Sequence, residues 1–408
     1  GREAHLAAGS SVGYLLWLLT ELFVFVAVGS TALIARFTGA GDRAAAVRAV
    51  HQSFLLGAIG AVIATAGCLT FGERLVQLVG LHGESADLAL DFLGWVFPVL
   101  PCIMVEAVAV ASLRGVGDVR GGLWIMALVN FVNVAFSWAL MFGIGPLPAL
   151  GWEGVAAGTA LGHVAGAALA ISFFVRGRDG LRFSRPLFRP DFDLCRRILR
   201  IGIPGGLDML AVILCQIWFL SIVNGLGDLA GAAHGVAIRV ESLAFTPGTA
   251  FQVAATTMVG LYLGAGDPRG AIRAVQLACL LAGAVICLAS VGFYFFGAEI
   301  ASLWVSPDKV GVIEQSADLL KIVAFGAPAL TFIMILTAAL RGAGDTRWPL
   351  AINLFGFLTI RIPLAYLLAY SFGLGVVGAW YAMVIDLNVR CVLNIWRFWN
   401  GGWKTVEV

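Results

Sequence analysis

The chain has 408 residues, of which 60% are hydrophobic and only 12% charged, with a formal net charge of +2. A soluble globular chain carries roughly 25% charged residues, so this composition excludes an ordinary soluble domain. So small a net charge leaves no electrostatic footprint for a nucleic acid.

The apolar runs, in chain order, predict eleven helices long enough to cross a bilayer core. The first, near 11–34, carries Glu21 at mid-span and Trp17, and leads into GAGDRAAAVRAV (Gly39 to Val50). A second span follows near 50–72. A third, near 89–112, holds Pro98, Pro101 and Glu106, the last about two turns before Arg114, and runs into ASLRGVGDVR (Ala111 to Arg120). Near 122–144, Asn130, Asn133 and Ser137 are uncharged polar groups that either line a cavity or bridge helices. The fifth span, near 152–175, carries His163. The stretch 176–197, RGRDGLRFSRPLFRPDFDLCRR, is strongly polar. Pro186 and Pro190 discourage a helix there, and its arginines suit cytosol or anionic headgroups. It reads as a solvated connector.

Six further spans follow. The run near 198–222 has Pro204 and, one turn later, Asp208; that near 232–261 has His234, Arg239, Glu241, Phe245 and Pro247. A featureless span near 273–296 precedes one near 318–340 with Pro328. The last two are near 348–371, with Arg361 and Pro363, and near 374–396, with Asp386. The six prolines Pro98, Pro101, Pro204, Pro247, Pro328 and Pro363 are expected kinks.

The chain is also internally duplicated. GAGDRAAAVRAV recurs as GAGDPRGAIRAV (Gly264 to Val275), and ASLRGVGDVR as AALRGAGDTR (Ala338 to Arg347), at offsets of 225 and 227 residues. A period this long in so apolar a chain predicts two homologous membrane lobes. In each repeated loop a Gly can take the left-handed conformation that ends one helix, and the following Asp can cap the next. Arg114 and Arg341, at helix C-termini, suit the helix dipole and anionic headgroups. The loops therefore read as tight turns and not as substrate contacts.

Charge orients the lobes. One set of loop ends, with the basic connector and the tail (Arg390, Arg397, Lys404), holds 20 of the 26 Lys and Arg residues. The opposite side has Arg2, Arg74, Lys309 and Lys321, leaving Arg239 and Arg361 within spans. The positive-inside rule then makes the repeated loops, the connector and the C-terminus cytoplasmic. The expected organisation is an N-terminal lobe over 1–175 with five spans, a cytoplasmic linker over 176–197, a C-terminal lobe over 198–396 with six, and a cytoplasmic tail over 397–408. The counterpart of the 198–222 span falls before Gly1, which predicts one further N-terminal helix and twelve in all.

Several segments together resemble the multidrug and toxic compound extrusion (MATE) transporters. They are TALIARFTGAGD (Thr31 to Asp42), LRGVGDVR (Leu113 to Arg120), HGVAIRVESLAFTPGTAFQVAATTMVGLYLGAGD (His234 to Asp267), LRGAGDTRWP (Leu340 to Pro349) and NLFGFLTIRIPLAY (Asn353 to Tyr366). The resemblance implies an all-α polytopic inner-membrane protein of two pseudo-symmetric six-helix lobes. It also implies export of organic, often cationic, compounds by proton- or sodium-coupled antiport, with alternating access. The same superfamily contains lipid-linked oligosaccharide flippases, which is the alternative reading. Acids that some relatives carry on the first, seventh and tenth helices have no match here: the latter two positions fall near Val212 and Leu330, and Ser137 stands four residues after Asn133 where an Asp is frequent.

Charged groups inside a span cost about 2.5–3.5 kcal/mol on insertion scales and usually face a cavity. Glu21, Glu106, Asp208, Glu241, Asp386 and His234 are therefore the candidates for cation coupling and substrate binding. Asn130, Asn133, Ser137, Arg239, Arg361 and Phe245 are candidates for the cavity lining. Glu241 and His234 are seven residues apart, on about the same helix face. Glu241 and Arg361 are read equally as coupling groups or as structural ion-pair members, and Arg239 as a partner for Asp208 or Asp386. Two arginines against five carboxylates in spans argue for cationic cargo over an anionic pyrophosphate. Trp17, Trp95, Trp124, Trp138, Trp218, Trp380, Phe245 and Phe251 either stack on flat cations or simply pack and anchor at the interface. No metal-ligand spacing and no nucleophile–base pair point to an enzyme, and seven scattered cysteines (Cys68, Cys102, Cys195, Cys215, Cys279, Cys287, Cys391) give no disulfide framework. The expected partners are a small organic substrate and the bilayer, with no cofactor and no nucleic acid, for a monomer.

Overall fold

A computed structural model describes residues 12–13, 15–16, 19–78 and 81–406, and every described regular element is helical. Trp17 and Arg2 lie outside the described residues. The first unit contains α1 (Leu19–Gly39), α2 (Arg43–Leu78), α3 (Glu84–Val96), α4 (Leu100–Gly115), α5 (Val119–Phe142) and α6 (Trp152–Arg176). Next come α7 (Phe192–Asn224), α8 (Asp228–Gly264), α9 (Pro268–Phe295), the short α10 (Gly297–Ser302), α11 (Val310–Val323) and α12 (Ala327–Gly342). The chain ends with α13 (Arg347–Phe355), α14 (Ile362–Tyr366) and α15 (Gly375–Asn400). Contacts divide the chain into two compact units, one up to Gly206 and one from Leu207. That boundary falls inside α7, two residues beyond Pro204.

Among the described residues nine helices are long and apolar enough to cross a membrane, or ten with the bent pair α11–α12 counted as one span. The remaining expected span, near 232–261, is α8. It is 37 residues long, with His234, Arg239 and Glu241 in its first half and Thr246, Thr249, Gln252, Thr256 and Thr257 in its second. The helices also outrun their apolar runs. For α2 the reason is a cap: Asp42 Oδ1 accepts from the Ala45 amide at 2.9 Å, so the helix starts at Arg43, well before the first fully apolar turn.

All four repeated loops share one backbone solution. Gly41, Gly117, Gly266 and Gly344 have φ of 74°, 90°, 73° and 87°. The amide of each following Asp reaches back across the turn: Asp42 to Phe37 O (3.0 Å), Asp118 to Leu113 O (2.8 Å), Asp267 to Tyr262 O (2.8 Å) and Asp345 to Leu340 O (2.9 Å). This is a Schellman closure, and it needs a residue that tolerates positive φ. Asp118 and Asp267 then cap the next helix through the amides of Gly121 and Gly270. The Asp345 carboxylate is gripped by Arg397.

The expected kinks are realised unequally. Pro98 and Pro328 sit at matched breaks: a 3₁₀ turn, Phe97–Val99, separates α3 from α4, and residues 324–326 separate α11 from α12, bent by 53°. Pro101 lies in the first turn of α4, where its missing N–H costs nothing. Pro204 and Pro247 lie within uninterrupted helices. Around Pro363 the helix widens instead of breaking, with π-helical turns at Gly356–Arg361 and Leu367–Ser371. Pro363 cannot donate to the Thr359 carbonyl, and the wider register absorbs the loss.

The surface is the inverse of a soluble protein. On α5, Leu123, Trp124, Phe131 and Trp138 are over 60% exposed, as expected where lipid and not water is the neighbour. Of the other candidate aromatics, Trp380 is fully buried, whereas Trp95 and Trp218 are exposed.

The α5–α6 hairpin depends on a glycine ridge that the sequence reading did not identify. Gly154, Gly158, Gly162 and Gly166 recur every four residues along α6 and face α5. A Cβ at Gly154 would sit 2.7 Å from Leu140 O, and one at Gly162 2.8 Å from Val129 O. Small residues at this spacing let two membrane helices approach backbone to backbone. Gly158→Val would overlap the Ser137 backbone, and is expected to cost about 1–3 kcal/mol, read as a lower melting temperature of the detergent-purified protein. Gly60→Ala, with open space around it, should leave that temperature unchanged.

Candidate functional site

The second unit is organised around a chain of buried charges. Asp208 on α7 is completely buried and is bound on one oxygen by Arg341, at the end of α12, and on the other by Asn353 Nδ2 of α13 at 2.6 Å. Asn353 Oδ1 accepts from Arg390 Nη1 at 2.8 Å. Arg390, one turn along α15 from Asp386, clamps that carboxylate with Nε at 2.9 Å and Nη2 at 2.8 Å. Arg361 donates to the same Asp386 through Nε at 2.8 Å and reaches Gln216 of α7 at 3.5 Å. The Phe357 ring lies under both guanidiniums, 4.4 Å from Arg390 and 5.4 Å from Arg361. Gly356 is required beside it, because a Cβ there would overlap Asp386 and Arg390.

Glu241 on α8 is 5% exposed and lies close enough to feel the charge of Arg361. His234, two turns earlier, accepts a hydrogen bond at Nδ1 from Trp380 Nε1 at 3.2 Å. Indole N–H only donates, so Nδ1 holds a lone pair and any proton of the neutral ring sits on Nε2.

Several expectations are corrected here. Arg239 meets neither Asp208 nor Asp386: it is exposed, pointing away from the helix face that buries Glu241. Arg341, read as a headgroup-facing loop residue, is 6% exposed and belongs to Asp208. Arg390, read as part of the tail, lies well inside α15. The tally of two arginines in spans, Arg239 and Arg361, therefore leaves out Arg341 and Arg390. Phe245 is half-buried on α8. Asn353, Gln216, Arg341 and Arg390 were missed as site residues, although polar side chains inside such apolar runs were a usable signal.

In the first unit the notable pair is Glu106 and His163. Glu106 on α4 is 2% exposed, and its Oε2 lies 2.9 Å from His163 Nδ1 on α6. Gly166 makes room for it, since a Cβ there would overlap the Glu106 carboxylate. Glu21 is half-buried on α1. Asn133 donates to Thr159 Oγ1 at 3.2 Å, and the single hydroxyl proton of Ser137 is within reach of both Asn133 Oδ1 (3.3 Å) and Val155 O (3.2 Å). These groups bridge α5 and α6. Asn130 is exposed and bonds back to Met126 O at 2.8 Å.

Outside the spans, Arg178 grips Asp118 through Nε and Nη2, and Arg397 grips Asp345 through Nε at 2.9 Å and Nη2 at 2.6 Å. Each unit thus ties its RGxGD loop to an arginine near the end of its last helix. Burial alone would raise the Asp118 carboxyl; hydrogen bonds from Arg178 and the Gly121 amide outweigh it and hold Asp118 below the usual carboxylate range.

A family model described as MatE matches residues 3–139 and 204–367, and the chain belongs to that family. It is 28% identical over 389 residues, covering 95% of this chain and 83% of the relative, to the probable multidrug resistance protein NorM of Thermotoga maritima. It is 27% identical to the multidrug resistance protein MdtK of Pectobacterium atrosepticum, over 96% of this chain and 86% of that one. A crystal structure of MATE in the bent conformation superposes with a TM-score of 0.91 at 22% identity, covering 99% of this chain and 89% of that one. A MOP superfamily transporter from Pyrococcus furiosus, for which reverse polarity of the binding pocket suggests a different function, superposes at 0.90 with 23% identity, over 99% and 89%. The chain is a polytopic membrane transporter and not an enzyme.

Two variants test the charge clusters. Asp386→Asn leaves two buried guanidiniums short of their carboxylate and should cost about 3–5 kcal/mol, seen as a large fall in melting temperature. Asp118→Asn should lower stability at pH 7. A depressed carboxyl stabilises above its unfolded pKa of about 4 and loses that contribution as pH falls through its folded value. The variant's melting temperature should therefore change less than that of the parent on acidification below about pH 4.

Proposed function

We propose that this transporter exports organic compounds, cationic ones among them, by proton-coupled antiport with alternating access. The naming of NorM and MdtK relatives as multidrug resistance proteins supports the cargo class. The Glu106–His163 pair is the observation that carries proton coupling. It is a buried carboxylate whose hydrogen-bonded partner on α6 is a titratable imidazole. With His163 neutral and Glu106 ionised the pair bears one negative charge, which either one proton or one organic cation offsets. Binding of the two is then mutually exclusive, which is the requirement for exchange. Glu241 is the corresponding acid of the second unit.

Asp208 and Asp386 take a different role in this reading. Protonating either would leave buried arginines without their counter-charge, at a cost of several kcal/mol, so these two acids hold the fold and do not cycle. A lipid-linked oligosaccharide flippase, the alternative, would use cationic groups to hold a pyrophosphate. Arg341, Arg361 and Arg390 are already committed to Asp208 and Asp386, which favours cationic cargo. By the positive-inside rule the 176–197 linker and the C-terminus are cytoplasmic, and the chain acts as a monomer without a cofactor.

The test is drug-driven proton movement in proteoliposomes, followed with an internal pH dye, with and without sodium. Addition of ethidium under an imposed pH gradient should release protons without sodium, and Glu106→Gln should reduce the signal to that of empty liposomes while the protein remains folded. Glu241→Gln should impair the same signal. Proton release by Glu106→Gln equal to that of the parent would sink the coupling role, and no response to any cationic drug would transfer the case to lipid-linked sugars.

A further inference from the structure

The first unit carries a groove of about 640 Å³ between the middle of α2 and the first turns of α7. Leu56 and Ile59 line it from α2, and Leu199 and Ile203 from α7. Toward the linker the lining changes character: Arg196 and Arg200, one helical turn apart, border the groove and are both exposed. Neither has a carboxylate partner among the described residues. Their neighbour Arg197 turns elsewhere and stacks over Phe37 at 5.3 Å.

The groove is preformed, because the linker is fastened to α2. Gln52 Nε2 donates to the carbonyls of Leu187 (3.0 Å) and Arg189 (2.9 Å), and its Oε1 accepts from the Asp191 amide at 3.1 Å. Asp191 Oδ1 in turn caps α7 through the Leu194 amide at 3.1 Å. His51 adds a second anchor, with Nε2 accepting from the Ser184 amide at 2.9 Å. These bonds fix where α7 begins, one turn from the groove on the α2 side, and so fix both arginines relative to Leu56 and Ile59.

We propose that this groove is a binding site for an anionic glycerophospholipid. One acyl chain lies along Leu56, Ile59, Leu199 and Ile203, and the phosphate is held by Arg196 and Arg200. The apolar wall runs deeper into the span to Ile59 and Ile203, while Arg196 and Arg200 lie within the first three turns of α7, where the helix leaves the basic 176–197 stretch. That order of apolar slot then paired cations is the order of groups in a phospholipid. Guanidinium forks bind phosphate oxygens two at a time. A choline headgroup would bring its own cation against them. The unpaired state of Arg196 and Arg200 matters, since Arg178 on the same linker is already bound to Asp118 and is not free to recruit a lipid. The proposal depends on the membrane reading and not on the transport reading, because binding is measured without turnover.

The test is competition on the delipidated full chain in detergent. Equal amounts of phosphatidylglycerol and phosphatidylcholine with the same acyl chains are added, and retained lipid is read by native mass spectrometry. The expected result is preferential retention of phosphatidylglycerol by the parent and loss of that preference in Arg196→Gln/Arg200→Gln. Ile59→Trp fills the slot with both arginines intact and should also lose the lipid. Arg182→Gln/Arg185→Gln, on the linker outside the groove, should retain it. Melting temperature and monodispersity identify any variant that is misfolded, and Leu199→Trp then replaces Ile59→Trp. Equal retention of the two lipids by the parent, or parental retention in the folded arginine or tryptophan variants, would overturn the site.

Discussion

The second unit depends on the neutralisation of charge where there is no water to do it. Asp208 and Asp386 have no exposed surface, and Arg341, Arg361 and Arg390 have almost none. Ionised groups in such surroundings persist only when each is paired and hydrogen-bonded. The pairing in turn dictates which helices can be neighbours. Asp208 joins α7 to α12 and α13; Asn353 passes the connection to Arg390; Asp386 joins α15 to the π-helical segment carrying Arg361. Even the backbone conforms, since Gly356 is the residue that lets that segment lie against Asp386.

The two units handle buried acids by different chemistry. Where arginine is the partner, the counter-charge is permanent and the carboxylate is fixed in one state. Where histidine is the partner, as for Glu106, the counter-group is not a permanent cation. A transporter needs both kinds of site: a scaffold whose charges do not change through the cycle, and at least one place where they do. The proposed function follows from that division more than from the number of acids in the spans.

Much of this architecture was legible because it rests on local rules. The four GxGD turns were readable from Gly and Asp at fixed positions, and the structure gives each glycine a positive φ. The matched breaks at Pro98 and Pro328 were readable for the same reason. The site was less so. A tally of loop charges assigns an arginine near a helix end to the interface, and Arg341 and Arg390 show why that fails: their side chains run back into the protein toward acids 133 and 4 residues away. Arg239 fails in the opposite sense, lying inside an apolar run yet facing outward, because one helix has more than one environment around its circumference. The partnership of Glu106 with His163 spans 57 residues and has no sequence signature, as neither helix indicates which turn of the other it meets. The glycine ridge of α6 is written in the sequence as a four-residue period, but glycine carries no chemistry of its own to mark it.

The separation of Asp208 from Arg341 has a consequence for biogenesis. The 133 residues between them are made after α7 has emerged, and at a synthesis rate of about 5–20 residues per second the delay is on the order of 10 s. Through that interval the nascent α7 must hold a carboxylate in or beside the translocation channel with its eventual counter-ion not yet translated. Release of α7 into lipid on its own would carry the insertion penalty of an isolated acid, about 2.5–3.5 kcal/mol. The apolar remainder of the 33-residue helix has to outweigh that penalty until α12 brings Arg341 to it.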